Sequence, residues 1–383
     1  MATTIPLSGV QYSGVWTMQQ VNAAIAANTW PGLPFLYSWG QNNSGQLGLG
    51  NTTNYSSPKQ VGSLTDWVKL AGGYNFSLAT KKDGTLWSWG SNNLGQLGLG
   101  NTTAYSSPKQ IGALTAWLNI ACGYRFALAI KTDGTLWSWG SNNNGQLGLG
   151  DVTNRSSPVQ VGSLTNWSSI VGGNFFTVAT KTDGTIWSWG ENLDGQLGLG
   201  NQTNYSSPKQ IGALTNWLTI ACGAYFVTSV KTNGTLWSWG KNNFGQLGLG
   251  DITFRSSPTQ IGALTAWLNI DNSNISGLSV KTDGTLWSWG YNGQGQLGLG
   301  NTTNRSSPNQ VGSLTNWSKI AAQNNSFASI KTDGTLWTWG INYGGVLGLG
   351  NTTYYSSPKQ VGSLTTWLSI AGGNYNILAI ATT

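Results

Sequence analysis

Histidine is missing from the 383-residue chain. That absence removes Ser–His–Asp and Cys–His nucleophile schemes and every His-containing metal site. Cysteine is nearly missing too: Cys122 and Cys222 are the two present, at matching positions of repeats two apart. A disulfide needs Cα atoms about 4.4–6.8 Å apart, which repeats folded as separate units do not offer. Both thiols therefore read as small buried fillers, and the redox compartment stays open. Glutamate occurs once, as Glu191, and reads as an isolated solvated side chain. Charged residues make up 8% of the chain, against about 25% in an ordinary soluble domain. No stretch of about 20 apolar residues exists to span a bilayer. The opening MATTIPLSGVQYSG has neither a basic n-region nor an apolar h-region, so a secretory signal peptide is not expected.

The basic excess, 18 Lys+Arg over 11 Asp+Glu, gives +7. It is spread evenly, with no run longer than Lys81-Lys82, so no phosphate-tracking groove forms and nucleic acid is not an expected partner.

What the chain has instead is 55 Gly and 22 Trp. They recur with a period of fifty residues: Trp39, Trp89, Trp139, Trp189, Trp239, Trp289 and Trp339 are equivalent, as are Pro58, Pro108 and their successors to Pro358. Such a period means a solenoid, a propeller or an array. One unit decides among them. LTDWVKLAGG (64–73) and FSLATK (76–81) read as two strands, and Asp83-Gly84 as a hairpin turn. TLWSWG (85–90) is a third strand. A long loop, 91–107, then leads to a short fourth strand at Pro108-Lys109-Gln110-Ile111, whose proline suits an edge strand. Four antiparallel strands per unit make a propeller blade. The expected fold is all-β: a seven-bladed β-propeller over 33–383, preceded by an N-terminal arm over 1–32. The closing blade joins both termini, with 377–381 pairing against 36–40.

Gly-Gly, a strand, Asp-Gly-Thr-Leu-Trp-Ser-Trp-Gly and Gly-Gln-Leu-Gly-Leu-Gly, recurring with small variations over seven units, resemble the repeats of the regulator of chromosome condensation family. The resemblance covers about 350 residues and implies the same seven-bladed propeller. One departure stands out: where many family repeats carry His, this chain has Phe76, Phe126, Phe176, Phe226, Ser276, Ser326 and Asn376. Without histidine, the Gly-Trp-Arg-His-Thr signature of the ultraviolet-photoreceptor members cannot occur. The spacing leaves no room for the wedge-like insertion that nucleotide exchange on a small GTPase needs.

The Gly45–Gly50 loop, GQLGLG, lacks the Lys-Ser/Thr of a P-loop and recurs in every blade, so it reads as a structural turn. The acids Asp83, Asp133, Asp183, Asp283 and Asp333 are explained by their hairpin turns, and Asn233 replaces them in one blade. No catalytic, cofactor or metal residues are assigned, and an enzyme is not expected.

Comparison of the blades with one another shows where they vary. The Asp-Gly face hardly changes, and its lysines Lys131, Lys181 and Lys281 are expected to contribute almost nothing to partner binding. The opposite face varies in its first-to-second strand turns and its long loops. There Tyr74, Tyr124, Arg125, Phe175, Tyr225, Phe244, Tyr291, Tyr343 and Tyr375 offer anchors, and Asn274 and Asn324 offer hydrogen bonds. Ile341 varies in the same loops. The segments Asp271-Asn272-Ser273-Asn274 and Ala322-Gln323-Asn324-Asn325 break the Gly-containing turn, and their amides and carboxylate suit a sugar.

The first 32 residues do not repeat. Thr17-Met18-Gln19-Gln20 has capping-box spacing, and Met18, Val21 and Ile25 fall on one face of a short helix, flanked by Trp16 and Trp30. The segment resembles one found near display domains in tailed-phage virion proteins. The resemblance implies a docking arm toward other virion proteins, a virion location and a propeller displayed for host-surface recognition of a glycan or protein. The alternative is an adaptor or enzyme inhibitor working through the same loop face, as β-lactamase-inhibitor propellers of similar architecture do. Homo-oligomerisation is open, and a soluble extracellular or cytoplasmic setting remains the other location.

Overall fold

The computed structural model describes residues 33–382. The docking-arm residues Trp16, Met18, Val21, Ile25 and Trp30 lie outside them.

Seven four-stranded antiparallel sheets form the molecule. In the first complete blade the strands are Trp67–Gly72, Phe76–Lys81, Leu86–Gly90 and Tyr105–Gln110, hydrogen-bonded in that order from the channel outward. Each hairpin follows from its turn. At the Asp83-Gly84 corner, Gly84 takes φ +78°, a left-handed conformation that favours glycine, and its N–H donates to Lys81 O. The fourth strand begins three residues before the proline that marks it in the sequence. Tyr105 already pairs with Gly90, and a bulge before the Ser88–Lys109 pair absorbs Pro108, which has no N–H to donate.

The closing sheet contains both ends of the described chain: Tyr55–Thr65, Pro34–Gly40, Asn376–Thr382 and Trp367–Gly372. Pro34–Gly40 pairs with Asn376–Thr382 in unbroken register, Trp39 opposite Ile377 and Tyr37 opposite Ala379. The terminal-strand closure expected from the offset boundaries is present.

Tryptophan joins the blades. Trp89 is fully buried and donates its indole N–H to Gln46 O in the loop of the preceding blade, 2.9 Å away. Trp139, Trp189, Trp239, Trp289 and Trp339 repeat the bond to Gln96, Gln146, Gln196, Gln246 and Gln296. Trp67 then stands edge-on to both Trp87 and Trp89. Gly48 is needed because of this packing: its φ is +74°, and a Cβ would lie 2.9 Å from Trp89 Nε1. The GQLGLG loop is thus a packing device.

Candidate functional site: the channel mouth and its aromatic face

The first-to-second strand turns of all seven blades meet at one end of the central channel. There the backbone forms a closed belt. Tyr74 N–H donates to Tyr124 O, Tyr124 to Gly173, Asn174 to Ala224, Ala224 to Asn274, Asn274 to Asn324, Asn324 to Asn374, and Asn374 to Gly73. Each blade gives one bond to the next, so the mouth is a rigid ring on which side chains can vary freely.

Most of the anchors expected from sequence come together on this ring. Tyr74 and Tyr124 have ring centroids 4.1 Å apart, Tyr124 meets Phe175 at 5.7 Å, and Phe175 meets Tyr225 at 6.3 Å. The Arg125 guanidinium lies 5.5 Å from the Tyr74 ring and 5.2 Å from that of Tyr124, and Lys241 lies 5.1 Å from Tyr225. Four blades therefore contribute one continuous aromatic arc with two cations on it. Two satellite pairs flank it: Phe244 with Tyr291 at 5.1 Å, and Tyr343 with Tyr375 at 5.1 Å. Burial within these stacks pushes the Tyr124 and Tyr375 hydroxyls above the ordinary tyrosine range, and Asn324 opposes the shift at Tyr375 by hydrogen bonding to it. Asn274 and Asn324 do not stand free: the Asn274 side-chain N–H donates to Asn324 Oδ1. Tyr343 is the most exposed of the set, at 50%.

The structure corrects several expectations. Ile341 is buried and is not a loop-face contact. Glu191 is half-buried: burial, with Asp194 beside it, pushes its carboxyl up against the opposing pull of Lys241. Its Oε2 has no partner among the described residues, so the picture of a solvated glutamate fails. Asp271 is not on an exposed loop but in the channel wall, where its Oδ2 accepts from Ala322 N–H and its Oδ1 from Asn272 N–H. Asn272, proposed with it as a sugar ligand, turns away to bond Ala221 O and Thr228 Oγ1. The lysines of the Asp-Gly side have a packing role, separate from any part in binding. Lys181 Nζ sits 3.7 Å from the Trp187 ring centroid and 4.9 Å from that of Trp167, and Lys131 and Lys281 repeat the clasp at about 5 Å.

The channel end encloses about 420 Å³, lined by apolar residues such as Ile220 and Ile320, by Cys122 and Cys222, and by the amides of Asn274, Gln323, Asn324 and Asn374. Both cysteines are free, and burial raises their thiols well above the ordinary range. The turn acids behave as their sequence implied. Asp83 Oδ1 accepts from Thr85 N–H and Oγ1–H, which lowers its pKa, and Thr85 Oγ1 accepts the Trp87 indole N–H. Among the described residues no group of three metal-ligating side chains gathers, and no helix is long and apolar enough to cross a membrane.

A ring of seven four-stranded blades, carrying a variable aromatic mouth on one face and a repeating turn face on the other, defines a β-propeller. Residues 36–219 match the RCC1-like domain, and residues 233–270, 283–326 and 333–380 match the regulator of chromosome condensation (RCC1) repeat, as do 218–246 in a second description of it. The chain belongs to the RCC1-like repeat family. No curated protein sequence matches it. Among solved structures it is similar to human WBSCR16, at 21% identity over 91% of this chain and 99% of that one, with a TM-score of 0.82. It is also similar to Prp20p of Saccharomyces cerevisiae, studied for binding to Gsp1p and histones, at 20% identity over 92% of each chain and a TM-score of 0.83. Yeast RCC1 (Prp20) bound to Kap60 gives 18% identity over 100% of this chain and 97% of that one, with the same TM-score of 0.83. At these identities the likeness speaks for the fold.

Proposed function

We propose that this propeller is a non-enzymatic protein-binding module that grips its partner with the aromatic face around the channel mouth. The observation that carries the reading is the Tyr74–Tyr124–Phe175–Tyr225 arc with Arg125 over it. Tyrosine and arginine are the residues on which interface energy concentrates. Here they are held on a closed backbone belt, so little conformational entropy is lost on docking. The reading fits relatives of this fold whose solved structures concern protein partners: Gsp1p and histones for Prp20p, Kap60 for yeast RCC1.

The finer setting we favour is a virion appendage that displays the propeller to a host-surface protein or glycan. The described chain starts at the Asp-Gly end, where Pro34 pairs with Thr382. On this reading the aromatic face, at the other end of the channel, is the one presented. The test is paired capture. Immobilised wild type and a Tyr124→Ser, Phe175→Ser, Tyr225→Ser variant are exposed to host-surface extract and to a glycan array. Capture of a protein by the wild type alone supports the reading; equal capture by both forms contradicts it, and binding to glycans alone removes the protein-binding module while leaving the appendage setting.

A further inference from the structure

We infer that the channel mouth receives one cationic side chain, a lysine or arginine presented by a protein partner, with Asp271 as its counter-charge; the inference rests on the aromatic face being the protein-binding face.

The repeats supply an internal comparison. The positions equivalent to 271 hold Ala71, Ala121, Val171, Ala221, Ala321 and Ala371, small apolar residues in six blades. One blade alone places a carboxylate there, and it is the one charged side chain among those lining the channel end. Asp271 forms no ion pair among the described residues. Asp271 is half-buried in the channel wall, an unpaired charge partly withdrawn from water is costly, and this desolvation pushes the carboxyl up to about 6. A departure from the scaffold rule that costs stability is the mark of a functional position.

The remaining chemistry selects the ligand. Two backbone N–H groups occupy one lone-pair site on each oxygen of Asp271; a carboxylate has about four such sites, which leaves two for a donor from the channel. A lone carboxylate cannot supply the six to eight oxygens of a calcium site, and a neutral sugar would leave the charge uncompensated. An ammonium or guanidinium group neutralises it and donates to the free lone pairs. Gln323, 3% exposed, lines the same cavity, and its Nε2 has no partner among the described residues. Asp271 lies two residues before the Ser273 turn, about 7 Å down a strand that rises about 3.3 Å per residue, a depth an extended lysine or arginine spans. Tyr74 and Tyr124 line the rim, where their aromatic bodies can pack against its apolar stem.

The experiment uses the whole chain and three blocked tripeptides: Gly-Lys-Gly, Gly-Arg-Gly and the neutral isostere Gly-norleucine-Gly, titrated into wild type, Asp271→Asn and Tyr124→Ala and followed by NMR. The expected result is that the cationic peptides bind wild type at least tenfold more tightly than the neutral one. Asp271→Asn, which keeps shape and fold, should abolish that difference. Equal binding of the norleucine peptide to wild type, or full binding of the cationic peptides to Asp271→Asn, overturns the inference. Tyr124→Ala separates it from the reading of the face. Loss with Tyr124→Ala but not with Asp271→Asn leaves the face and removes the channel receptor; loss with Asp271→Asn but not with Tyr124→Ala does the reverse.

Discussion

Trp39 donates its indole N–H to Val346 O across 2.9 Å, joining residues 307 positions apart in sequence. It is the same bond that every other blade makes to its predecessor, with Val346 standing where the others have glutamine. Through it and the Pro34–Gly40 pairing, the ring closes on itself.

Closure predicts that no blade junction is special. Trp39→Phe leaves a buried carbonyl without its donor and should cost about 1–3 kcal/mol. Trp239→Phe, which loses the bond to Gln196 O, should cost the same within experimental error in urea unfolding. A much cheaper Trp39→Phe would mean that the junction between the chain ends is open. Deleting residues 377–383 should abolish the cooperative transition altogether, because it strands both Pro34–Gly40 and Trp367–Gly372.

The glycine loops allow a paired test. Gly148 (φ +74°) would set a Cβ 2.7 Å from Trp189 Nε1, whereas Gly162 (φ +60°) meets nothing within 4 Å. Gly162→Ala should cost only the left-handed backbone term of about 1–2 kcal/mol. Gly148→Ala should exceed it by at least 1 kcal/mol, since overpacking a tight junction adds roughly 1–3 kcal/mol. Equal losses would remove packing as the reason for the glycine.

Most of the scaffold was legible because its signals are local and recur from blade to blade: Asp-Gly corners, alternating strands, tryptophans on a fifty-residue period. The closing pair 36–40 with 377–381 followed from counting strands. What resisted reading depends on depth. Lys181 looks like any lysine beside a hairpin turn, yet its stem is buried between Trp167 and Trp187. Asp271 sits in a segment that reads as a polar loop, and only the inward position of its strand reveals a channel wall. Glu191 is half-buried and feels the charges of Asp194 and of Lys241, the latter from the next blade's loop, neighbours that sequence spacing does not bring together. The stacking of Tyr74 on Tyr124 was likewise invisible, although both had been recognised as variable-face residues.

The lysine clasp predicts a graded loss. Lys231 is buried, with Nζ 3.6 Å from the Trp237 ring centroid, while Lys81 stands 5.6 Å from Trp87. Lys231→Ala should destabilise by about 1–2 kcal/mol and Lys81→Ala by about half that or less, following the range for desolvated against exposed cation–π pairs. Calorimetric melting of the two variants measures this, and equal losses would refute it.

Asp271 predicts a pH signature. Its folded pKa, about 6, lies above the ordinary 3.8, so the folded state favours the protonated acid. That stability is present in full below about pH 4 and is lost as pH rises through 6. The facing titratable group is the Cys222 thiol, which burial keeps neutral across this range. Asp271→Asn loses one of the two backbone N–H bonds that the carboxylate accepts, so its melting temperature is best read against wild type: the variant-minus-wild-type difference should be clearly more positive at pH 8 than at pH 4.5. A difference that does not change with pH would show that Asp271 titrates normally.

The most direct test of the central claim asks which face touches the partner. A photo-crosslinking phenylalanine analogue is placed at Tyr343, exposed on the aromatic face, and separately at Leu214, 51% exposed beside the turn at Gly184 on the opposite face. Irradiation in host-surface extract should yield a defined protein adduct from position 343, weakened by Tyr124→Ser and Phe175→Ser together, and none from position 214. An adduct from position 214 that survives those rim substitutions, with none from 343, would contradict the account.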